Sequence, residues 1–159
     1  MYQIKSTSFK GNYVVLKHGE QFSEVCYHNW KYNHAKASYH NQEIEIKANT
    51  DRKSFYDIIK NGVVTGNITI DCKSVSRIQV LDQHNKNQHF YLKAEGFWKH
   101  KYVLYFSNPQ TPAIVLQSNN KRLTTYYDVK KVAATPLNIE IPTLIIYSVF
   151  ALNLLSCYA

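Results

Sequence analysis

The sequence predicts a mainly β protein: a closed antiparallel barrel of about eleven or twelve strands around an apolar C-terminal α-helix, in one domain over residues 1–159. Three observations carry this expectation. After Glu140 the chain has no Asp, Glu, Lys, Arg or His, although its formal net charge is +8. The polar residues of that tail, Thr143, Ser148 and Asn153, recur every five positions, so on a helix they are scattered and form no polar face. Everything before the tail divides into short β-rich runs between turn residues, too many for a flat open sheet.

The strands are expected within residues 2–141 and the helix over 143–158. From Tyr2 to His40 the pattern is β-like, with Tyr13-Val14-Val15-Leu16 as one core and an aromatic-dense run from Gln21 to Tyr39. Lys10-Gly11-Asn12 and His18-Gly19-Glu20 read as turns. Glu43-Ile44-Glu45-Ile46-Lys47-Ala48 alternates polar and apolar, the mark of a half-buried strand. Phe55 to Lys60 and Val63 to Ile70 flank Asn61-Gly62, a pair that tolerates the positive φ angles of a tight hairpin turn. Further strands are expected at Arg77–Leu81, His89–Lys93, Phe97–Phe106, Ala113–Gln117, Leu123–Val129 and Leu137–Ile141, the last bracketed by Pro136 and Pro142.

A ring of about eleven strands is wide enough to admit a helix roughly 10 Å across, where eight strands are filled by side chains alone. The tail's roughly 17 residues span about 25 Å, near the height of such a wall. A C-terminal membrane anchor is the competing reading. That length is the lower limit for a span, and Ser148, Asn153 and Ser156 weaken it, so the core reading is preferred.

Composition narrows the function less. The basic balance, with pI near 9.3, fits anionic partners and also serves solubility. The cysteines Cys26, Cys72 and Cys157 are odd in number and widely spaced, which argues for a reducing, cytoplasmic setting, with Cys157 expected in the core. Met1 to Ser6 lacks the basic-then-apolar run of a secretory signal. No phosphate loop, nucleophile elbow or zinc-protease helix is present in the sequence, so no catalytic residue and no cofactor is assigned. His28, His34 and His40 lie near Cys26 but lack the close pairs of a structural zinc site, and no metal is expected. Tyr27, Trp30, Tyr32 and Tyr39 are expected to pack core rather than stack on nucleobases.

Many short strands before an apolar C-terminal helix, Gly96-Phe97-Trp98-Lys99 leading into Tyr102-Val103-Leu104-Tyr105, and Phe55 to Ile59 turning at Asn61-Gly62 toward Gly66-Asn67-Ile68 together resemble the superfamily of tubby C-terminal domains, LURP-one-related proteins and phospholipid scramblases. That resemblance implies a twelve-stranded barrel closed round one helix, no catalytic centre, and work done at membranes or on phosphoinositides by the outer surface. No string here carries the family's phosphate-binding positions over residue by residue.

Read from the residues themselves, the basic side chains concentrate late, with seven between Lys93 and Lys131 against Glu95 and Asp128. Lys99, Lys101, Lys121, Arg122, Lys130 and Lys131 are the candidate anion-binding residues. The expected partner is an anionic phospholipid head group at a membrane face, met peripherally. The alternatives are another protein, a purely structural role, or an enzyme with a cleft at the barrel rim. Nucleic acid is not favoured, because the RNA-recognition signature is missing, and a filled bore leaves no space for an internal small-molecule ligand.

Overall fold

The computed structural model describes residues 1–8, 11–28, 33–71, 74–96, 101–107, 110–119, 126–132 and 138–158. They form β1 (Tyr2–Ser6), β2 (Tyr13–Lys17), β3 (Glu20–Tyr27), β4 (His34–Tyr39), β5 (Gln42–Ala48), β6 (Phe55–Lys60), β7 (Val63–Ile70), β8 (Ser76–Leu81), β9 (Asn87–Glu95), β10 (Lys101–Phe106), β11 (Pro112–Ser118), β12 (Tyr126–Lys131) and α1 (Ile141–Tyr158). Each strand pairs antiparallel with its sequence neighbours, and β12 closes onto β1 through Tyr2↔Val129 and Lys5↔Tyr126. Closure removes the unpaired edges that an open sheet of this size would expose.

Alternation decides what each strand turns inward. Ile44 and Ile46 of β5 are buried between exposed Glu43 and Lys47, and Ile58, Ile68, Ile78, Leu92, Leu104 and Ile114 continue the inner lining. The hairpin at Asn61-Gly62 forms as the dipeptide requires, with φ of 50° and 82°. A bulge between Ile58 and Ile59 re-registers the pair β6–β7 there, matching Gly66 to Ile58 but Val64 to Ile59. Gly66 is needed because a Cβ there would run into the carbonyl oxygen of Gln79 in β8.

The helix occupies the bore. Leu144, Ile145, Ile146, Tyr147, Ser148, Val149, Phe150, Ala151, Leu152, Leu154 and Leu155 are all buried, which covers every face of the helix. The wall also hydrogen-bonds it: the Tyr13 hydroxyl donates to the Ile146 carbonyl at 3.1 Å, and the Asn153 amide donates to the Tyr27 hydroxyl at 2.9 Å. Among the described residues no helix is long and apolar enough to cross a membrane.

Two expectations are corrected. Leu137–Ile141 is not a strand over its described part, because Asn138 and Ile139 form a bend and Ile141 already opens α1. Pro142 is a first-turn helix residue rather than a strand terminator, at a position whose N–H has no intrahelical acceptor to serve. Thr143 Oγ1 donates to the Glu140 carbonyl at 2.7 Å and tightens that turn. Cys157 is exposed, since the last turn of the helix passes beyond the packed wall.

Strand direction defines two mouths. The turns β2–β3, β4–β5, β6–β7, β8–β9 and β10–β11, together with the start of α1, lie at one, called proximal; the end of α1 lies at the distal mouth.

Candidate functional site

Of the six basic residues expected to bind an anion, Lys99, Lys121 and Arg122 lie outside the described residues. Lys101 opens β10 with its Nζ 3.2 Å from Glu95 Oε2. The Tyr105 hydroxyl donates to the same carboxylate, and Lys93 Nζ stands 4.7 Å from the Tyr105 ring centre. Lys101 therefore already has a counter-charge, and its value to an outside anion is reduced accordingly. Lys130 lies level with Val115, Val103 and Lys93 across three successive ladders. Lys130 and Lys131 both end β12 at the proximal mouth, and both are exposed.

The structure adds Lys17 to them. It ends β2 opposite Tyr2 of β1, and its Nζ lies 5.8 Å from the Tyr2 ring and 6.0 Å from the Phe22 ring. Lys17 and Lys131 occupy inward positions of the pleat, in line with Val15 and Val129, yet they are exposed because their strands have passed the end of the core. Beneath Lys17 an aromatic lip closes part of the mouth: Phe22 packs on Tyr39 at 4.7 Å and on His40 at 5.5 Å between ring centres. Burial, and then the bond to Glu140, push the Tyr39 hydroxyl up to about 12, so it stays neutral in ordinary buffers. A lysine, a pair of strand-end lysines and an aromatic floor suit non-covalent recognition of an anion.

A second surface, of mixed charge, lies on the outer wall of β6 to β9, which sequence reasoning did not single out. Two adjoining depressions of about 470 and 410 Å³ share Arg52, Phe55 and Asn67. The Arg52 guanidinium lies 5.1 Å over the Phe55 ring, and Arg77 Nη2 stands 3.8 Å from Asp71 Oδ2. Gln79, His89 and Tyr91 line one depression; Asp51, Asp57, Val64 and Leu81 line the other. No short motif signals this groove, because ladder register and the β5–β6 loop bring its residues together.

The remaining reactive groups are dispersed. The rings of His28 and His34 are 4.5 Å apart at the distal end, whereas His40 is at the proximal mouth. Glu45 collects His34, Lys36 and Lys47 within 3.8 Å, and Asp57 accepts the Asn49 amide. Among the described residues no three His, Cys, Asp or Glu side chains are grouped to hold a metal. Burial raises the thiol pKa of both Cys26 and Cys157, with Glu24 adding to it at Cys26, and this disfavours the nucleophilic thiolate.

The class of protein these features define is a β-barrel plugged by its own helix, with its accessible chemistry on the rim and outer wall. No protein-family model, no curated protein and no solved structure matches the chain.

Proposed function

We propose that this protein is a binding module of the tubby and LURP-one kind, which docks peripherally on anionic phospholipid head groups through basic residues outside the barrel. The observation that carries the reading is the occupied bore: with α1 buried on every face, a ligand has to be met on the surface. The formal charge of +8 favours an anionic one. The gathering of Lys17, Lys130 and Lys131 at one mouth supports a head-group site there. Twelve antiparallel strands around one C-terminal helix also agree with what the sequence resemblance implies.

A lysine near an anionic bilayer contributes about 1 kcal/mol, so replacing Lys17, Lys130 and Lys131 together by Ala should weaken partitioning on the order of 100-fold. The assay is co-sedimentation with phosphatidylcholine vesicles, with and without an equal part of phosphatidylserine. The expected result is binding that requires the anionic lipid and falls steeply with salt. Equal sedimentation with both vesicles, or no effect of salt, removes the lipid reading.

A protein partner is the second reading, favoured by the outer-wall groove. Its Arg52 over the Phe55 shelf, with Arg77 beyond and Asp51 and Asp57 beside it, suits an aromatic peptide of mixed charge. In that case Arg52→Ala with Arg77→Ala abolishes peptide binding, while the lysine triple variant retains it.

A further inference from the structure

The exposed apolar side chains are not spread over the barrel. Among the described residues the large hydrophobics that stand out are Met1, Val63, Val64, Leu81 and Val132, at 68%, 63%, 59%, 39% and 48% exposure. All belong to the proximal mouth. Met1 precedes β1 and Val132 follows β12; Val63 and Val64 open β7 just after the Asn61-Gly62 turn; Leu81 ends β8 opposite Asn87. Val63 and Val64 are chain neighbours, and in a strand lying on a packed wall one of them would be covered. Both are open to solvent: Val63 stands at the hairpin tip, and Val64 faces outward at the rim, where with Leu81 it also edges the outer-wall depression.

The two apolar groups face each other across the mouth. In the ring order, β1 and β12 are adjacent, β7 and β8 are adjacent, and the two pairs are on opposite sides. Twelve strands spaced about 4.8 Å apart and tilted by about 40° close a ring roughly 24 Å wide. One surface touching both groups must therefore be broad and flat and must accept apolar side chains.

Charge at this mouth is mixed and slightly basic, five lysines to four carboxylates. Lys17, Lys130 and Lys131 flank the first group, and Lys60 and Lys86 lie beside the second. The carboxylates at this mouth are Glu20, Glu43, Glu140 and Asp82. Asp82 is turned into its own loop, accepting the backbone N–H groups of His84 and Lys86 and the Gln88 amide at 2.8, 3.0 and 2.9 Å. The Tyr39 hydroxyl engages Glu140.

We infer that the proximal mouth is the membrane-facing end of the barrel, and that the Val63-Val64 hairpin tip with Leu81 on one side and Met1 with Val132 on the other enter the interface of an anionic bilayer together. This rests on the lipid reading above and adds an orientation to it. The barrel axis stands across the membrane plane, α1 points its first turn toward the lipid, and the distal mouth, with Cys26 and Cys157, stays in water.

The test uses a polarity-sensitive fluorophore on single cysteines in the full-length chain, with Cys26, Cys72 and Cys157 otherwise replaced by Ser. The fluorophore is carried at Val64→Cys or Val132→Cys, or on the native Cys157, and the vesicles are equal parts phosphatidylcholine and phosphatidylserine. Blue-shifted, quench-protected emission from both proximal probes, with no change at Cys157, is the expected result. A parallel variant with native cysteines, Val63→Ser with Val64→Ser, keeps its circular dichroism and loses at least tenfold in vesicle affinity. Salt-sensitive vesicle binding without a shift at Val64 and Val132, or with a shift at Cys157, overturns the orientation and leaves the lipid reading standing. Absence of vesicle binding overturns both. Proximal probes shielded by self-association, seen as a dimer in sedimentation velocity without vesicles, also overturn the inference by making this mouth a protein interface.

Discussion

Replacing Phe150 by Ala tests the packing of the helix at its most enclosed point. Its side chain is 0% exposed, stacked on Tyr27 with ring centres 5.7 Å apart at 12° and edge-on to Tyr56 at 5.7 Å and 69°. Truncating a buried Phe costs about 3–5 kcal/mol through lost transfer and a residual cavity. Two aromatic neighbours, which strengthen such contacts by about 0.5–1.5 kcal/mol per pair, place this site toward the upper half of that range. A domain of this size has about 5–15 kcal/mol of stability, so the variant should remain folded but with much of its margin gone. In urea, with a slope of about 1–3 kcal/mol per molar, a loss of about 4 kcal/mol moves the midpoint down by roughly 2 M. Equilibrium unfolding followed by far-ultraviolet circular dichroism and intrinsic fluorescence reads this directly. Val63→Ala, at a side chain 63% exposed, is the internal control and should change stability by less than about 0.5 kcal/mol. If Phe150→Ala costs under about 1 kcal/mol, the helix is not the packing centre of the barrel.

Three further outcomes follow from the same packing. Ser148 is fully buried and its Oγ has no hydrogen-bond partner among the described residues, so Ser148→Ala should raise stability by about 1 kcal/mol; a loss of that size in the same urea titration would mean that the hydroxyl is satisfied. Gly66→Ala drives a Cβ into the Gln79 carbonyl and should cost about 1–3 kcal/mol or more, whereas Gly62→Asn, at a turn with open space and φ of 82° that Asn tolerates, should cost less than about 1 kcal/mol. Burial pushes Tyr39 and Tyr127 up to about 12 and raises Tyr13 and Tyr147 as well. The unfolded chain ionises its tyrosines near 10, so this part of the stability is complete below about pH 10 and is lost as pH climbs through the folded values. Tyrosinate absorbance should therefore lag behind model tyrosine and then rise together with the loss of circular dichroism; ionisation of all thirteen tyrosines near pH 10 with the fold intact would contradict it.

How far the sequence could be read depended on whether the deciding interactions were local. The tail was legible because the absence of charge on every helical face leaves only an apolar surrounding, and β5 was legible because its alternation survives in the pleat as Ile44 and Ile46 turned inward. The Asn61-Gly62 turn was legible because its chemistry is contained in two residues. Pro142 misled because the same ring ends strands and opens helices, and only the position of the helix start distinguishes the two. Cys157 misled because composition shows an apolar segment but not where the wall around it stops. Lys130 and Lys131 were singled out as candidates from charge alone. Lys17 was not, since its place beside them depends on β12 closing onto β1, a contact between the two ends of the chain. Arg52 and Arg77 were missed for a similar reason: they share a groove only through the loop and ladders between β5 and β8.

The central claim is that α1 is the core of the barrel, and native-state hydrogen exchange of the intact protein tests it most directly. Amides from Leu144 to Leu155 should be as protected as those of the inner wall strands and should exchange only when the whole molecule unfolds, with the same denaturant dependence. Exchange of that segment through a lower-energy opening, while the strands stay protected, would show a wall that stands without its helix and would contradict the account.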